Sequence, residues 1–415
     1  MKINLFALLL LAASGAAAQG SDPETDLRGN CGNFVKVTTY GDDNREEFCS
    51  QNLLIRDLAE SVAGLFTDGS SVTLTGLPYA FSGDTLGRSQ RLADGQRFAG
   101  QTAAAFCTGF LVGQDLLVTA GHCVKDHHPA EIKPPADHAG PCQENPHHPE
   151  NRRLDQGDYC ENIRVAFGFR KELGGHIPKT APPEDVYKCA AVISHSLGSG
   201  PDYALIRLDR PVTGRGPLAI NRTNAGLSKD VPLFVIGHPS GIPLKIAGDA
   251  AVISSGTDVY VTDGFSTRKW SDNAYSFMAN LDTFHGNSGS PVFNLNTMLV
   301  EGILVKGDSD FEPHPEQPGK RRITAFPQAA GNPEKGKGVG EVCTKISMPA
   351  AKIPVTGRER TILELNRESG NRLYPAMLKR LIRRVLKQRR SQPQIVPIPN
   401  HIVPEKRPAT DTLFV

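Results

Sequence analysis

The chain has 415 residues, with 46 Lys or Arg against 44 Asp or Glu and a formal net charge of +2. This length, with 39% apolar residues, allows one large or two modest domains with a substantial core. The near-neutral total excludes a chain that is strongly basic or acidic throughout. It hides one asymmetry, because residues 358–390 hold eleven Lys or Arg against three Glu, a local surplus of +8 that leaves about −6 for the rest.

The N-terminus has the pattern of a secretory signal peptide over residues 1–18. One basic residue precedes an apolar run from Ile3 to about Ala13, and Ala16 and Ala18 form an A-x-A cleavage pattern. The run is shorter than the ~20 residues that cross a bilayer. We therefore expect cleavage after Ala18 and an exported protein, either secreted or periplasmic.

Residues 19–95 are expected to form an N-terminal segment that is partly a pro-segment and contains a first strand. The stretch "GNFVKVTTYGDDNREEF" alternates and is broken by a Gly-Asp-Asp-Asn turn. Cys31 and Cys49 flank it and are close enough along the chain to pair locally.

The cysteine pattern favours disulfide bonds over a thiol or metal site. An even number of cysteines, eight, follows the predicted cleavage point, and no C-x-x-C spacing for a zinc ribbon or thioredoxin motif occurs. Cys160 and Cys189 are the favoured pair because both lie in predicted neighbouring strands. Cys142 and Cys343 would then pair with each other or stay free.

From residue 96 to 348 the sequence predicts an all-β barrel or sandwich. Short apolar or β-branched runs, such as "FCTGFLVG", "IRVAFGF", "YALIRL" and "PLFVIGH", alternate with Gly, Pro, Asn and Asp. Two insertions interrupt the pattern, at about 125–159 and 308–340. Five histidines of the first insertion could suggest a metal site, but ordering a long Pro-rich loop costs entropy, so we expect a solvated insertion and no metal.

Residues 349–415 are expected to form a linker, a basic amphipathic helix and a Pro-rich tail. The helix is predicted over 372–390, where apolar residues recur at helical spacing and basic residues occupy the other face. Three roles remain open: docking on the barrel, contact with an anionic surface such as an envelope or nucleic acid, and a removable tail. Sequence-specific nucleic-acid recognition is not expected, since no stacking aromatics are interleaved with the basic residues.

Three short motifs carry the residues needed for hydrolysis by a serine. His122 lies in "TAGHC", Asp202 in "PDYALIRLDRPV" and Ser288 in "HGNSGSPVF". A serine nucleophile needs a base within hydrogen-bond reach and a carboxylate that orients that base. It also needs donors for the developing oxyanion, and the Gly286 and Ser288 N–H groups are the candidates.

With these motifs the sequence resembles the chymotrypsin-like (trypsin-type) serine peptidases over about residues 95–348. The His, Asp, Ser order is that of this family. The resemblance implies two six-stranded antiparallel β-barrels, His122, Asp202 and Ser288 as a catalytic triad, and a Cys107–Cys123 disulfide beside the histidine. It also implies protein or peptide substrates and no cofactor, and we expect a monomer. The N-terminal "VTTYGDDNR" is similar to the first strand of exported bacterial glutamyl-endopeptidase-like members.

Substrate preference is less defined. By resemblance, Asp282 and Thr283 line the pocket for the residue before the cut (P1), and substrate backbone pairs along 305–307, which are Val305, Lys306 and Gly307. A carboxylate at the pocket base would favour Arg or Lys, but Asp282 could also be a solvated loop residue or be neutralised by Lys306. The alternatives are a glutamyl-specific endopeptidase and a catalytically silent binding protein with the same fold.

The residue before Ser288 departs from the trypsin-type pattern. It is Asn287, where trypsin-type zymogens have an aspartate that pairs with a newly cut N-terminus. Activation through that ion pair is therefore excluded, and removal of a pro-segment would have to act in another way.

Overall fold

The computed structural model describes residues 43–67, 74–125, 158–197, 200–224, 227–256, 259–262, 267–270, 273–307, 309–324 and 340–373. The predicted signal peptide, most of the first insertion, and the basic helix and tail from residue 374 onward lie outside these ranges. Of the helices within them, none is long and apolar enough to span a bilayer.

Strands dominate the described residues. The strands of the N-terminal half are β1 Arg45–Glu47, β2 Val62–Thr67, β3 Leu74–Thr75, β4 Tyr79–Phe81, β5 Cys107–Leu111, β6 Leu116–Thr119, β7 Val124–Lys125, β8 Asp158–Tyr159, β9 Ile163–Ala166, β10 Thr180–Ala181, β11 Val186–Ser196 and β12 Tyr203–Leu208. Those of the C-terminal half are β13 Pro232–Gly237, β14 Lys245–Gly256, β15 Val259–Thr262, β16 Thr267–Trp270, β17 Asn273–Ala279, β18 Pro291–Asn294, β19 Val300–Lys306, β20 Phe311–Pro313, β21 Arg321–Ile323 and β22 Glu341–Lys345. The α-helices are α1 Leu53–Ala59, α2 Leu86–Ser89 and α3 Gly357–Ser369.

The first barrel closes in the order β11-β12-β6-β5-β2-β9, and all its strand pairs are antiparallel. Strand β12, "YALIRL", buries Ala204, Leu205, Ile206 and Leu208 and exposes Arg207. The inward residues of neighbouring strands fill the barrel, as expected for short apolar strands in a closed sheet. Because β2 belongs to this barrel, the barrel begins upstream of the expected boundary at residue 96.

The second barrel closes in the order β14-β13-β18-β19-β22-β17, with β17 pairing back to β14. Strand β1 adds to the outer side of β14, with Arg45 opposite Ala247 and Glu47 opposite Lys245. The predicted two six-stranded antiparallel barrels are therefore confirmed. The N-terminal segment supplies one strand to the first barrel and one edge strand to the second.

The second predicted insertion is not entirely loop. Strands β20 and β21 form a two-stranded antiparallel hairpin, with Phe311 opposite Ile323. Both of these side chains are buried against Phe284 and Ile242. This hairpin therefore packs beside the loop that precedes Ser288.

Helix α3 corrects the linker expected after residue 349. The Thr356 side chain accepts the Glu359 N–H, and Gly370 ends the helix in the left-handed conformation. Glu359 is buried and pairs with Arg222, and the Asn366 side chain donates to the Thr297 carbonyl. The helix is thus docked, not a solvated connection.

Two disulfides link described residues, Cys107–Cys123 and Cys160–Cys189, the pairs favoured from the sequence. Cys49 is also disulfide-bonded, to a partner outside the described residues. Cys343 is a buried free thiol, so it is not paired with Cys142.

Candidate active site

His122 and Asp202 meet because β6 and β12 are antiparallel neighbours. His122 lies on the short turn Gly121–Cys123 after β6, and Asp202 lies just before β12. The end of one strand and the start of the next therefore coincide. The His122 Nδ1 atom is 2.8 Å from the Asp202 Oδ2 atom.

The Asp202 carboxylate is held from several directions. Its Oδ1 atom accepts the Gly121 N–H at 2.5 Å and the His122 N–H at 3.1 Å. The Asp202 N–H donates to Thr344 Oγ1, at 3.2 Å. A carboxylate fixed in this way orients the imidazole and favours the tautomer with the proton on Nδ1, which leaves Nε2 as a base.

The nucleophile loop reaches the histidine turn through backbone contacts. The Thr108 N–H donates to the Ser288 carbonyl at 2.8 Å, and the Cys123 Sγ atom lies 3.8 Å from the same oxygen. Ser288, half-buried, thus lies against the disulfide that adjoins His122. The structure therefore places His122 beside Asp202 and the Ser288 backbone beside the histidine turn, where the two barrels meet.

A tight turn presents the Gly286 and Ser288 amides. The Asn287 N–H donates to the Phe284 carbonyl at 3.0 Å, and the Ser290 N–H donates to the Asn287 carbonyl at 2.8 Å. Gly286 has a φ of +86°, and a Cβ there would lie 2.7 Å from the His238 carbonyl oxygen, so only glycine fits. Within the described residues, neither the Gly286 nor the Ser288 N–H has a protein acceptor.

The comparison with family models supports the peptidase class. Residues 107–303 match the family model of the trypsin-like peptidase domain. The chain contains a trypsin-like peptidase domain. Its enzyme class is that of the serine-type peptidases.

The solved structures that match this chain include the Rv3671c protease from M. tuberculosis. Its active form is 14% identical, with a TM-score of 0.36, and the match covers 74% of this chain and 86% of that chain. An inactive serine-to-alanine mutant of the same protease is 13% identical, with a TM-score of 0.35 and coverages of 77% and 98%. No protein of curated function matches this sequence.

The predicted pocket residues of the peptidase domain are buried, not solvated. Asp282 is 1% exposed, and its Oδ2 atom accepts the Asn44 N–H at 3.1 Å. Thr283 is also buried, and its hydroxyl donates to the Glu341 carboxylate at 2.8 Å. Lys306, in contrast, is exposed.

Glu341 is a buried carboxylate beside the predicted pocket residue Thr283, and the sequence analysis missed it. A Cβ built on Gly307 would lie 1.9 Å from the Glu341 Oε2 atom, so this carboxylate occupies the space that a side chain at 307 would fill. Glu341 is 6% exposed and begins β22, beside the predicted substrate strand β19. Two buried carboxylates, from Asp282 and Glu341, therefore flank Thr283.

The predicted substrate strand is tied directly to the nucleophile loop. The Gly289 N–H donates to the Leu304 carbonyl at 2.7 Å, and the Leu304 N–H donates to the Ser290 carbonyl at 3.0 Å. Beyond Leu304 the chain emerges, with Val305 half-buried and Gly307 exposed. An emerging strand end of this kind is open to pairing with an extended peptide.

Two further residues support the site and were also missed. The Thr108 hydroxyl donates to the Gly286 carbonyl at 2.9 Å and accepts the His238 N–H at 3.0 Å, which joins the two barrels. The His195 Nε2 atom lies 2.9 Å from both the Gly121 and Val124 carbonyl oxygens. Since both carbonyls only accept, this nitrogen carries the proton and holds the histidine turn.

His238 lies under the nucleophile loop and is fully buried. Burial lowers the pKa of its imidazole from 6.5 to about 3, and its Nδ1 atom lies 3.1 Å from the Ile242 carbonyl oxygen. The imidazole is therefore neutral at ordinary pH, with Nδ1 donating.

The only cluster of metal-ligand types among the described residues is Cys107, His122 and Cys123. Both sulfurs belong to one disulfide, which removes them as thiolate ligands. The cluster is therefore explained by the histidine turn and its disulfide.

Proposed function

We propose that the protein is an exported serine endopeptidase that uses His122, Asp202 and Ser288 as its triad. The Ser288 Oγ atom attacks the scissile carbonyl and transfers its proton to His122 Nε2, which then protonates the leaving amine. Water resolves the acyl-enzyme by the reverse sequence. The observation that carries the proposal is the 2.8 Å His122–Asp202 contact beside the anchored nucleophile loop.

The Gly286 and Ser288 N–H groups are proposed as the oxyanion donors. The turn closed by the Asn287 N–H and the Phe284 carbonyl supports this role, because it fixes both amides before substrate binds. Preorganised donors of this kind supply a large part of the rate enhancement in acyl transfer.

We further propose a preference for Arg or Lys at P1. Asp282 and Glu341 are both buried, and a cationic side chain entering between them would form charge-assisted hydrogen bonds in a site with little water. The glutamyl-specific alternative has less support, because a substrate carboxylate would meet two buried carboxylates. In that alternative, the ammonium group of Lys306, which is exposed at the strand end, would have to pair with the substrate carboxylate.

Export is proposed from the predicted signal peptide. The Cys107–Cys123 and Cys160–Cys189 disulfides support it, since such bonds persist in oxidising compartments.

A fluorophosphonate probe and a peptide library test the proposal. We expect the probe to label Ser288, with label and cleavage both lost in Ser288→Ala and both retained in Ser290→Ala, a buried serine two residues away. Cuts are expected after Arg or Lys. Cuts after Glu would establish the glutamyl alternative, and a folded protein with no Ser288-dependent label or cleavage would establish the silent binding protein.

The P1 proposal has its own pair of variants. Glu341→Gln and Asp282→Asn should each lower kcat/KM for an Arg substrate by about 10- to 100-fold, the worth of one hydrogen bond to a charged group. Glu301→Gln makes the same change at another buried carboxylate, one that accepts hydrogen bonds from Asn221 and Asn294, and serves as the matched control. Equal kcat/KM for Arg and Gln substrates in the unmodified enzyme would reject the preference while leaving the peptidase assignment intact.

A further inference from the structure

The N-terminal residues Asp43–Glu47, termed the brace below, lie beside the nucleophile loop, with Asp43, Arg45 and Glu47 buried. Strand β1 pairs with β14, and the Arg97 guanidinium donates to the Asp43 carbonyl at 2.9 Å and the Arg45 carbonyl at 2.7 Å. At the far end, Glu47 pairs with buried Lys245 at 3.0 Å. The brace is therefore held by backbone pairing and by ion pairs on both sides.

Arg45 is the centre of the brace and is 0% exposed. Its Nε and Nη2 atoms each donate to the Asp43 carboxylate at 2.8 Å, in a two-pronged contact, and Arg97 lies 3.0 Å from the same carboxylate. Burial alone would raise the pKa of Asp43, but the two guanidinium groups lower it below its ordinary value of 3.8. The carboxylate is thus ionised and available to Arg45.

A fully buried guanidinium is expensive, because its desolvation is only partly offset by pairing. The Nη1 atom of Arg45 has no hydrogen-bond partner, which adds to the cost. An uncharged side chain of similar size would fill the same space with a smaller desolvation penalty. The contact that Arg45 makes on its other side explains why a cation is placed there.

That contact is the ring of Phe284. The Arg45 guanidinium carbon lies 3.7 Å from the ring centroid, within the range of a cation–π interaction. Phe284 accepts the Asn287 N–H that closes the turn before Ser288. The brace touches the same loop a second time where the Asn44 N–H donates to Asp282.

We propose that Arg45 is a positioning residue for catalysis, which holds Phe284, and through it the Gly286–Ser288 turn, in the conformation that presents the oxyanion donors. The proposal rests on the peptidase activity assigned to Ser288. It also gives the N-terminal segment a role in activity, in a chain where Asn287 cannot pair with a new N-terminus.

The test compares a variant that removes the cation with one that retains it. The double variant Arg45→Met, Asp43→Asn removes both charges and leaves Arg97 its hydrogen bonds to the Asp43 and Arg45 carbonyls. Arg45→Lys retains the cation but not the two-pronged contact. We expect kcat to fall at least about tenfold in the double variant, with KM within about threefold, because loss of a single oxyanion donor costs 10²- to 10³-fold. Arg45→Lys should restore part of that loss.

Arg215→Met is the matched control. Arg215 is also an arginine paired with carboxylates, with 12% of its side chain exposed, and its guanidinium lies 5.0 Å from the Phe167 ring of the first barrel. It should lower stability without lowering kcat, when assayed at a temperature where the variant is folded. A loss of kcat in Arg215→Met equal to that of the double variant would overturn the proposal, because it would show a general effect of destabilisation.

Two outcomes separate this proposal from the proposed function. Absence of Ser288-dependent activity in the unmodified protein refutes the peptidase assignment and the positioning role with it. Full activity in the unmodified protein with unchanged kcat in the folded double variant overturns only the positioning role. If the Arg45 variants do not fold, Phe284→Leu tests the proposal instead. Loss of the ring should give the same fall in kcat, and an unchanged kcat would refute the proposal.

Discussion

The buried imidazole of His238 predicts that the protein loses stability in weak acid. The perturbation is His238→Asn, which keeps a donor for the Ile242 carbonyl but cannot be protonated. Burial lowers the pKa of His238 from 6.5 to about 3 in the folded state. Between these two values the unfolded chain binds a proton that the folded protein does not, so the free energy of unfolding falls as the pH falls through this window.

The magnitude follows from the pKa change. At about 1.36 kcal/mol per pKa unit, the full effect is about 5 kcal/mol, and about 3 kcal/mol of it is lost between neutrality and about pH 4.5. This is a large share of the 5–15 kcal/mol that typical domains possess. Because His238 also donates its N–H to Thr108 below the Gly286 turn, unfolding around His238 should remove the active conformation at the same time.

The assay is urea unfolding at about pH 7.5, 6 and 4.5, followed by circular dichroism. The unmodified protein should lose about 3 kcal/mol more over this range than His238→Asn. His176→Asn, at an exposed histidine, is the control and should keep the full pH dependence. Parallel pH profiles for the unmodified protein and His238→Asn would refute the reasoning.

Three further predictions concern single contacts around the site. Thr108→Val keeps the side-chain shape but leaves the buried His238 N–H without its acceptor, so it should cost about 1–3 kcal/mol in urea unfolding and also lower kcat; unchanged values of both would contradict the bridging role. Burial raises the pKa of the Cys343 thiol well above 9, so iodoacetamide at about pH 8 should modify Cys343 only after unfolding, and rapid labelling of the native protein would contradict its burial. His195→Phe should loosen the histidine turn and lower kcat more than it changes KM, whereas an unchanged kcat would show that the Asp202 carboxylate and the Cys107–Cys123 disulfide hold the turn without His195.

The all-β class could be inferred from the sequence because short apolar runs broken by Gly, Pro, Asn and Asp are a local pattern. The two barrels were predicted by the resemblance of the three motifs to the chymotrypsin-like peptidases. The motif around each triad residue also encodes the turn that presents it, as with Gly121 before His122 and Gly286 before Ser288.

Helix α3 was missed although its signals are present in the sequence. Thr356 and Glu359 have the spacing of a capping box, and Gly370 is a typical C-terminal stop. The helix carries so many polar residues that its apolar stripe is weak. Its stability comes instead from tertiary contacts, chiefly the buried Glu359 with Arg222, which no local pattern indicates.

The residues that tune the site escape sequence reasoning for a different reason. Glu341 is 58 residues from the Thr283 hydroxyl it accepts, and Thr108 is 178 residues from the Gly286 carbonyl. The sequence around each residue predicts only a strand. Glu341 gains its polar partner when the second barrel closes, and Thr108 gains its partner when the two barrels meet. A buried charge or hydroxyl in a strand is costly unless such a partner exists. In a β-barrel peptidase, a polar residue inside an otherwise apolar strand therefore indicates a candidate site residue.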